Sequence, residues 1–460
     1  MKLERGAAVD TAGPDLSRFI RELSFRQLPE DVVRQAQRCL VDLIGVAAAG
    51  SRTTASAIVN SYAASQLAGR DREARILFDG RRASAAGAAF AGATTIDAMD
   101  AHDGHVLTKG HAGVAALPAL LAYVDQGAKC DTHEFIVCLV LGYEIATRAG
   151  IALHATVPDY HCSGAWNALA CAAIGARLLA LDDEQTRHAL GIAEYFGPRG
   201  QILRVCREPS MLKDGSGWGA HAGVTAALLA RDGFSGAPAI TVQHADVQHL
   251  WRDLGTRWHV LEQYFKPYPV CRWAQPAIEA MYALKRVHRF DADSTTAIAI
   301  ESFREAIDLG SQCTHPTTTD QAQYSLPFAV AAALVFEHIG ANEVNATGLN
   351  DAHVKRLLGV IELVEDAEFS RRFPAERWAR VRISLADGRT LVSEPACARG
   401  NPENPLSDSE LHDKYHALTE PVLGEQRATR IEALTLSLAD ARAGDSTLLT
   451  ELMSEVLSAA

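Results

Sequence analysis

Along the first 290 residues hydrophobic positions recur at helical spacing, and over the next hundred they alternate. Segment 29–50, "PEDVVRQAQRCLVDLIGVAAAG", opens on Pro29, a good first-turn residue, and closes on Gly50. Between them Val32, Ala36, Cys39, Leu40, Leu43, Ile44 and Ala47 follow helical spacing. "DTHEFIVCLVLGYEIATRAGIAL" carries an Asp131–Thr132 cap with Glu134 three residues after Asp131, the pattern of a capping box. Segments 83–99, 112–126, 164–181 and 219–231 are so rich in Ala and Gly that they are apolar nearly all round. Small residues let helices approach closely, so these four segments predict the central helices of an all-helical body.

After about residue 291 the character changes. "STTAIAIESF" and "RWARVRISLADGRTLVSE" alternate and carry β-branched residues, with an Asp–Gly turn in "ADGR". "HVKRLLGVIELVED" between them predicts an amphipathic helix, and "ARGNPENPLSDSELHDKY" is a Pro/Asn/Ser-rich connection before helix-forming sequence returns. The expected fold is mainly α. A large all-helical domain is built from both chain ends, residues 1–268 and 404–460, and a smaller α+β lid domain occupies 269–403.

Composition narrows the function classes. The 460 residues are 48% hydrophobic and 22% charged, which fits an ordered globular chain of two or three domains. A formal net charge of −12 argues against a nucleic-acid or anionic-membrane partner, although a few cations in one pocket can still bind a small anion. "IGVAAAG" and "FIVCLVLGYEIA" are far shorter than the roughly 20 apolar residues a bilayer needs, and the N-terminus has no hydrophobic signal core. The 9 cysteines are odd in number and form no Cys-x-x-Cys pair, which fits reduced thiols in a cytoplasm and speaks against an iron–sulfur centre.

Chemistry concentrates in four places. "DAMDAHDGHVLTKGHAG", residues 97–113, packs Asp97, Asp100, His102, Asp103, His105 and His111 together. A metal, a proton-transfer site and a solvated loop all fit. There is no His-Glu-x-x-His, and Gly104 and Gly110 suggest a loop, but the stretch directly follows a helix that reads as buried, which favours acid–base chemistry at an internal cleft. His161 precedes an Ala-rich helix beginning near Ser163, either as a cap-region residue or as an anion-binding one. Lys213 sits on a glycine-rich lead into another small-residue helix, either a surface lysine or a point charge for a carboxylate, and no Walker-A pattern accompanies it. "KPYPVCRWAQP" presents Lys266, Tyr268, Cys271 and Arg272 on a chain stiffened by prolines, suited to binding a polyanion or simply to joining two domains. Cys271 reads more readily as packing than as a nucleophile.

In order along nearly the whole chain, these segments resemble the MmgE/PrpD family, which includes 2-methylcitrate dehydratase, cis-aconitate decarboxylase and iminodisuccinate epimerase. The landmarks are "RCLVDLIGVAAAG", Asp100-x-x-Asp103 followed by His111, "ALPALLA", "LGYEIATRAG", His161, "MLKDGSGWGAHAGVTAALLARDGFSGAP", "KPYPVCRWAQPAIEA" and "AQYSLPFAVAAAL". The resemblance implies a helical domain with an α+β lid, a homodimer, and chemistry without metal or cofactor on a small anionic carboxylate. It carries the catalytic roles to Asp100, His111, His161, Lys213 and Lys266. Arg272, Tyr268, His102, Asp103, His105 and Cys271 are expected to bind the substrate or tune its choice. The departures are Asp97, His102 and Gly104 where the family has His, Asp and Thr, and Ala112–Gly113 where many members have Pro–Ser. Dehydration of a hydroxy-polycarboxylate is the first expectation, with decarboxylation and epimerisation as alternatives and a non-catalytic binding protein as the rival class. Lysines that line such a pocket are expected to add little to the core.

Overall fold

The computed structural model describes residues 16–70 and 72–460. The first patterned segment folds as α1, Glu30–Gly50, starting just after Pro29. The small-residue segments become α2, Ala85–Asp97, and α3, Gly113–Asp125. After α4, Thr132–Thr156, they continue as α5, Gly164–Leu178, and α6, Ser216–Arg231. Helices α2, α3 and α5 are buried almost all round, whereas α6 buries one face and leaves Trp218 and Leu229 exposed on the other. Glycines set the close packing. A Cβ on Gly219 would stand 2.6 Å from the Cα of Gly164, and one on Gly223 would stand 2.2 Å from the carbonyl oxygen of Ala168. No side chain fits where α6 crosses α5.

Helix α4 is capped by Asp131, whose carboxylate accepts the Glu134 N–H at 2.7 Å. Glu134 itself turns to Arg177 of α5, at 2.5 Å from Nε, so the reciprocal half of the box goes to helix packing. As a whole α4 is longer than the apolar stretch that marked it. It is apolar enough to span a bilayer by length and composition, yet 94% of its most apolar window is buried inside the fold.

Beyond residue 270 come α7, Gln275–Val287, α8, Leu326–Phe336, and α9, Ala352–Leu358. The chain ends in α10, Asp408–Leu423, α11, Glu425–Ser437, and α12, Thr447–Val456. α10 lies on α1, where a Cβ on Gly45 would stand 3.1 Å from the Tyr415 ring and Lys414 pairs with Asp42.

Two short strands, β1 (Gly104–His105) and β2 (Gln263–Tyr264), pair antiparallel and pin the 98–112 loop. A five-stranded sheet is built from β3 (Thr295–Ser302), β4 (Ile361–Glu365), β5 (Trp378–Leu385), β6 (Thr390–Val392) and β7 (Ala396–Cys397). Its order is β4-β3-β5-β6, with β7 also on β5 and only β3–β4 parallel. The helix expected over 353–366 is half a strand. α9 stops at Leu358, Gly359 follows, and the β-branched Ile361 and Val364 lie in register with β3. Pairing with an existing strand outweighs the helical pattern.

Candidate active site

The segments leading into α3, α6, α7 and α8 converge on one closed cleft, with the start of α5 directly behind them. Helix N-termini carry partial positive charge, so this is a place for anions. Four cations, Lys109, Lys266, Arg272 and Arg377, line it against two carboxylates, Asp100 and Asp214. The local sign is therefore opposite to that of the whole chain.

Lys266 is wholly buried and forms an ion pair with Asp100 Oδ1. Burial pushes the Asp100 carboxyl up, but Lys266, then His111 and Lys213, bring it net below its ordinary value. Burial likewise opposes charge on Lys266, and Asp100 more than restores it. Both groups stay charged, and Lys266 is thus a core residue as well as a cleft cation, contrary to the expectation that such a lysine adds little to the core.

His111 is oriented from both ends. Its backbone N–H donates to Ser163 Oγ at 3.0 Å, and its ring Nδ1 lies 2.5 Å from the carbonyl of Asp103. A carbonyl only accepts, so Nδ1 carries the proton and Nε2 keeps a lone pair, 3.8 Å from Asp214 Oδ2. Burial, then Lys266, lowers His111 to about 3, so the imidazole rests neutral.

Asp214 accepts the Ser163 hydroxyl and backbone N–H, and burial raises it to about 6. Asp97 accepts the N–H groups of Asp214 and Ser216, each at 3.2 Å, and burial followed by Asp214 raises it to about 7. The departure at Asp97 therefore has a structural role, because this carboxylate caps the entry to α6 by accepting two backbone N–H groups there.

Lys213 holds a left-handed backbone at φ +45°, a sparsely populated conformation for a side chain-bearing residue. Its Nζ donates to Gln323 Oε1 at 2.9 Å and lies 3.6 Å from Asp320 and 5.1 Å over the Tyr324 ring. The same Gln323 oxygen accepts the Asp100 N–H at 2.7 Å, which links Lys213 to the Lys266–Asp100 pair. Arg272 lies 4.5 Å over Tyr264 and donates to Gln275 and the Arg399 carbonyl; burial lowers it to about 10, still a cation. Cys271 lines the cleft, but burial raises its thiol to about 12, which leaves it a poor nucleophile.

Other candidates stand off. His102 is fully buried behind His111, with ring centroids 4.2 Å apart, and among the described residues its Nε2 has no hydrogen-bond partner. Asp103 accepts the Tyr143 hydroxyl, and burial, then Asp42, raises it to about 7. His105 turns to Glu262 at 3.0 Å. Tyr268 donates to Glu279 at 3.0 Å. His161 is partly exposed, its Nδ1 3.3 Å from the Arg199 carbonyl. None of these five lines the cleft in this conformation.

Among the lining residues that escaped sequence reasoning are Lys109, Tyr264, Tyr324, Asp214 and Arg377. Tyr324 lies inside the landmark "AQYSLPFAVAAAL" and holds its phenol proton, because burial raises it well above the ordinary value. Asp214 directly follows Lys213. Arg377, just before β5, is buried, and among the described residues its Nε has no hydrogen-bond partner.

Ligand atoms of Asp100, His102 and His111 lie within 4.8 Å of one another, the spacing of a metal site. Lys266 already answers the Asp100 charge, and that works against a second cation there. The enclosed volume is about 30 Å³, room for about one water and roughly a tenth of an ordinary ligand pocket. A larger ligand enters only when the walls part.

Among known families, residues 14–249 match the MmgE/PrpD N-terminal domain and residues 268–440 the MmgE/PrpD C-terminal domain. The chain is similar to a cis-aconitate decarboxylase-like protein of Aspergillus oryzae, 25% identical over 92% of this chain and 94% of that one. It is also similar to the cis-aconitate decarboxylases of Aspergillus terreus, 23% identical over 95% of each chain, and of Mus musculus, 22% identical over 95% of this chain and 92% of that one.

Proposed function

Because this chain belongs to the MmgE/PrpD family, we propose that it is a lyase acting on a small polycarboxylate, and that it decarboxylates an unsaturated tricarboxylate of the cis-aconitate kind. The observation that carries this reading is the buried cleft lined by Lys109, Lys266, Arg272 and Arg377 with one oriented histidine, Lys213 standing behind it and linked to Asp100 through Gln323. The relatives named above are cis-aconitate decarboxylases or a decarboxylase-like protein, which supports this reading.

In decarboxylation the bond to the leaving carboxylate breaks and its electron pair stays on carbon, spreading into the carboxylate conjugated with the double bond. Fixed cations at that carboxylate stabilise the developing charge. Lys266 and Lys213 take that part, while Arg272 and the unpartnered Arg377 Nε hold the remaining carboxylates. Carbon then takes a proton. His111 lines the cleft, and a bound polyanion raises its pKa, so on substrate binding Nε2 takes up a proton from solvent and then delivers it to carbon. Segment 269–403, which supplies Cys271, Arg272, Tyr324 and Arg377, serves as the lid in this reading, because a closed volume of about 30 Å³ must open to admit substrate.

Dehydration is the second reading, favoured by one observation: neutral His111 already has the lone pair that removing a carbon-bound proton requires. The two separate by pH. A protonated His111 donor loses activity as pH rises through its substrate-bound pKa, whereas a neutral base gains activity there. Incubating the protein with cis-aconitate, citrate and 2-methylcitrate, with CO₂ release and NMR as readouts, tests the proposal. Turnover of none of them would end it, and water loss without CO₂ would transfer it to the second reading.

A further inference from the structure

Away from the cleft, α10 carries Asp408, His412, His416 and Glu420 at four-residue spacing, one row along one face. α11 brings Glu432 against the middle of that row. His412 Nδ1 lies 2.8 and 3.0 Å from the two Glu432 oxygens, and His416 Nε2 lies 3.0 Å from Glu432 Oε2. One ligand atom from each of the three lies within 4.8 Å of the others. The lyase reading uses none of them.

We propose that His412, His416 and Glu432 form a site for a borderline divalent cation of the zinc type, separate from the cleft and open at one coordination position. Two imidazole nitrogens and a carboxylate are a donor set that suits zinc, cobalt or nickel better than magnesium or calcium. Ligands held 2.0–2.1 Å from a tetrahedral zinc stand roughly 3.3–3.4 Å apart. The present separations of 2.8–3.0 Å therefore need to open by only about half an ångström.

The surroundings point the same way. His416 Nδ1 lies 2.8 Å from Glu420 Oε1 and its Nε2 3.0 Å from Glu432 Oε2, so the ring donates to both carboxylates, and an ion bound at Nε2 takes the place of the proton there while Nδ1–H stays on Glu420. A carboxylate behind a liganding histidine is the usual support of a zinc site. The His412 side chain is 53% exposed, which leaves it free to swing onto an ion and leaves the fourth position to water. Beside it runs a groove of about 460 Å³ lined by Arg34, Gln37, Arg38, His412 and Glu432, wide enough for an exogenous ligand. Arg38 is tied to Asp408 and to the Leu406 carbonyl rather than to Glu432.

The other clusters fail the same criteria. In His105–His259–Glu262 both imidazoles address one oxygen, and Arg257 holds the other at 2.8 Å. In the cleft, Asp100 is already paired with Lys266. A site on α10 would clip it to α11, and from its other side Lys414 of α10 reaches the carbonyl of Ala101, beside Asp100, at 2.6 Å.

The test strips the full-length protein with chelator and titrates zinc in competition with a chromophoric chelator, with cobalt as a spectroscopic probe. One equivalent should bind, with a tetrahedral cobalt spectrum. His412→Ala and Glu432→Gln should each weaken binding by about tenfold or more, and Glu420→Gln by about tenfold with all three ligands present. His412→Ala, half exposed, should fold and keep the parent's activity, whatever that activity proves to be. No saturable binding, binding unchanged in His412→Ala/His416→Ala, or binding abolished by His111→Ala instead would overturn the proposal and leave a hydrogen-bonded histidine–glutamate network.

Discussion

Replacing Lys266 by Met separates two roles that the structure assigns to one ammonium. Met keeps most of the stem volume and removes the charge. In the parent, Lys266 is 0% exposed and Asp100 2% exposed, and they neutralise each other. Removing one partner of a buried pair strands the other, at a cost of about 3–5 kcal/mol. The same change removes a fixed donor to developing charge, worth about 2.7–4 kcal/mol or about 10²–10³-fold in kcat. Urea unfolding and steady-state kinetics read the two losses independently. The double variant Lys266→Met/Asp100→Asn removes the stranded charge, so it should recover most of the stability and none of the rate. The stability deficit of the single variant should also shrink at low pH, because a buried, unpaired Asp100 takes a proton there. A single variant as stable as the parent, or a double variant no more stable than the single one, would refute the buried-pair argument. Near-normal kcat in the double variant would place the chemistry elsewhere.

Tyr324→Phe removes only a hydroxyl from the cleft wall and should lower kcat by about 10²-fold with the melting temperature unchanged; an unchanged rate would make Tyr324 packing alone. Asp103 holds its proton up to about pH 7 in the fold but only to about 3.9 when unfolded, so folding binds a proton between those values and stability falls as pH rises through that window. Asp103→Asn should therefore gain on the parent between about pH 4 and pH 7, at up to about 1.4 kcal/mol per unit, and a difference flat with pH across that window would contradict this. Exhaustive chelation should leave the lyase rate intact even as it empties α10; a rate lost and then restored by zinc would put a metal in the cleft. His102→Ala, which opens space behind His111, should shift preference among polycarboxylates more than it lowers the best rate, and a uniform loss across substrates would contradict that role.

How far the sequence could be read follows from what kind of force places each part. The central helices were legible because Ala and Gly leave only close helix packing as a use, and α5 and α6 approach where Gly219 and Gly223 allow it. Strand β4 was hidden because Ile361–Glu365 continues a helical pattern, and only the partner strand β3 decides. At the site, Asp100, His111, Lys266, Cys271 and Arg272 meet in one cleft, each on a segment whose chemistry was unusual in isolation. His105 and Tyr268 came from the same segments and point elsewhere, because Glu262 and Glu279 capture them. Arg377 was read as part of an alternating strand, since nothing in "RWAR" signals that its Nε ends buried and unpartnered. Local pattern names the segments that carry chemistry, but tertiary neighbours choose among their side chains.

The central claim is that this cleft breaks a carbon–carboxylate bond and returns a proton to carbon from the protein. Its most direct test follows cis-aconitate in deuterated water by NMR while CO₂ is collected. The account predicts CO₂ release with one deuterium placed on carbon for each CO₂, both lost together in His111→Ala. Loss of water from a hydroxy acid with no CO₂, or exchange of deuterium into unreacted substrate without net turnover, would contradict it.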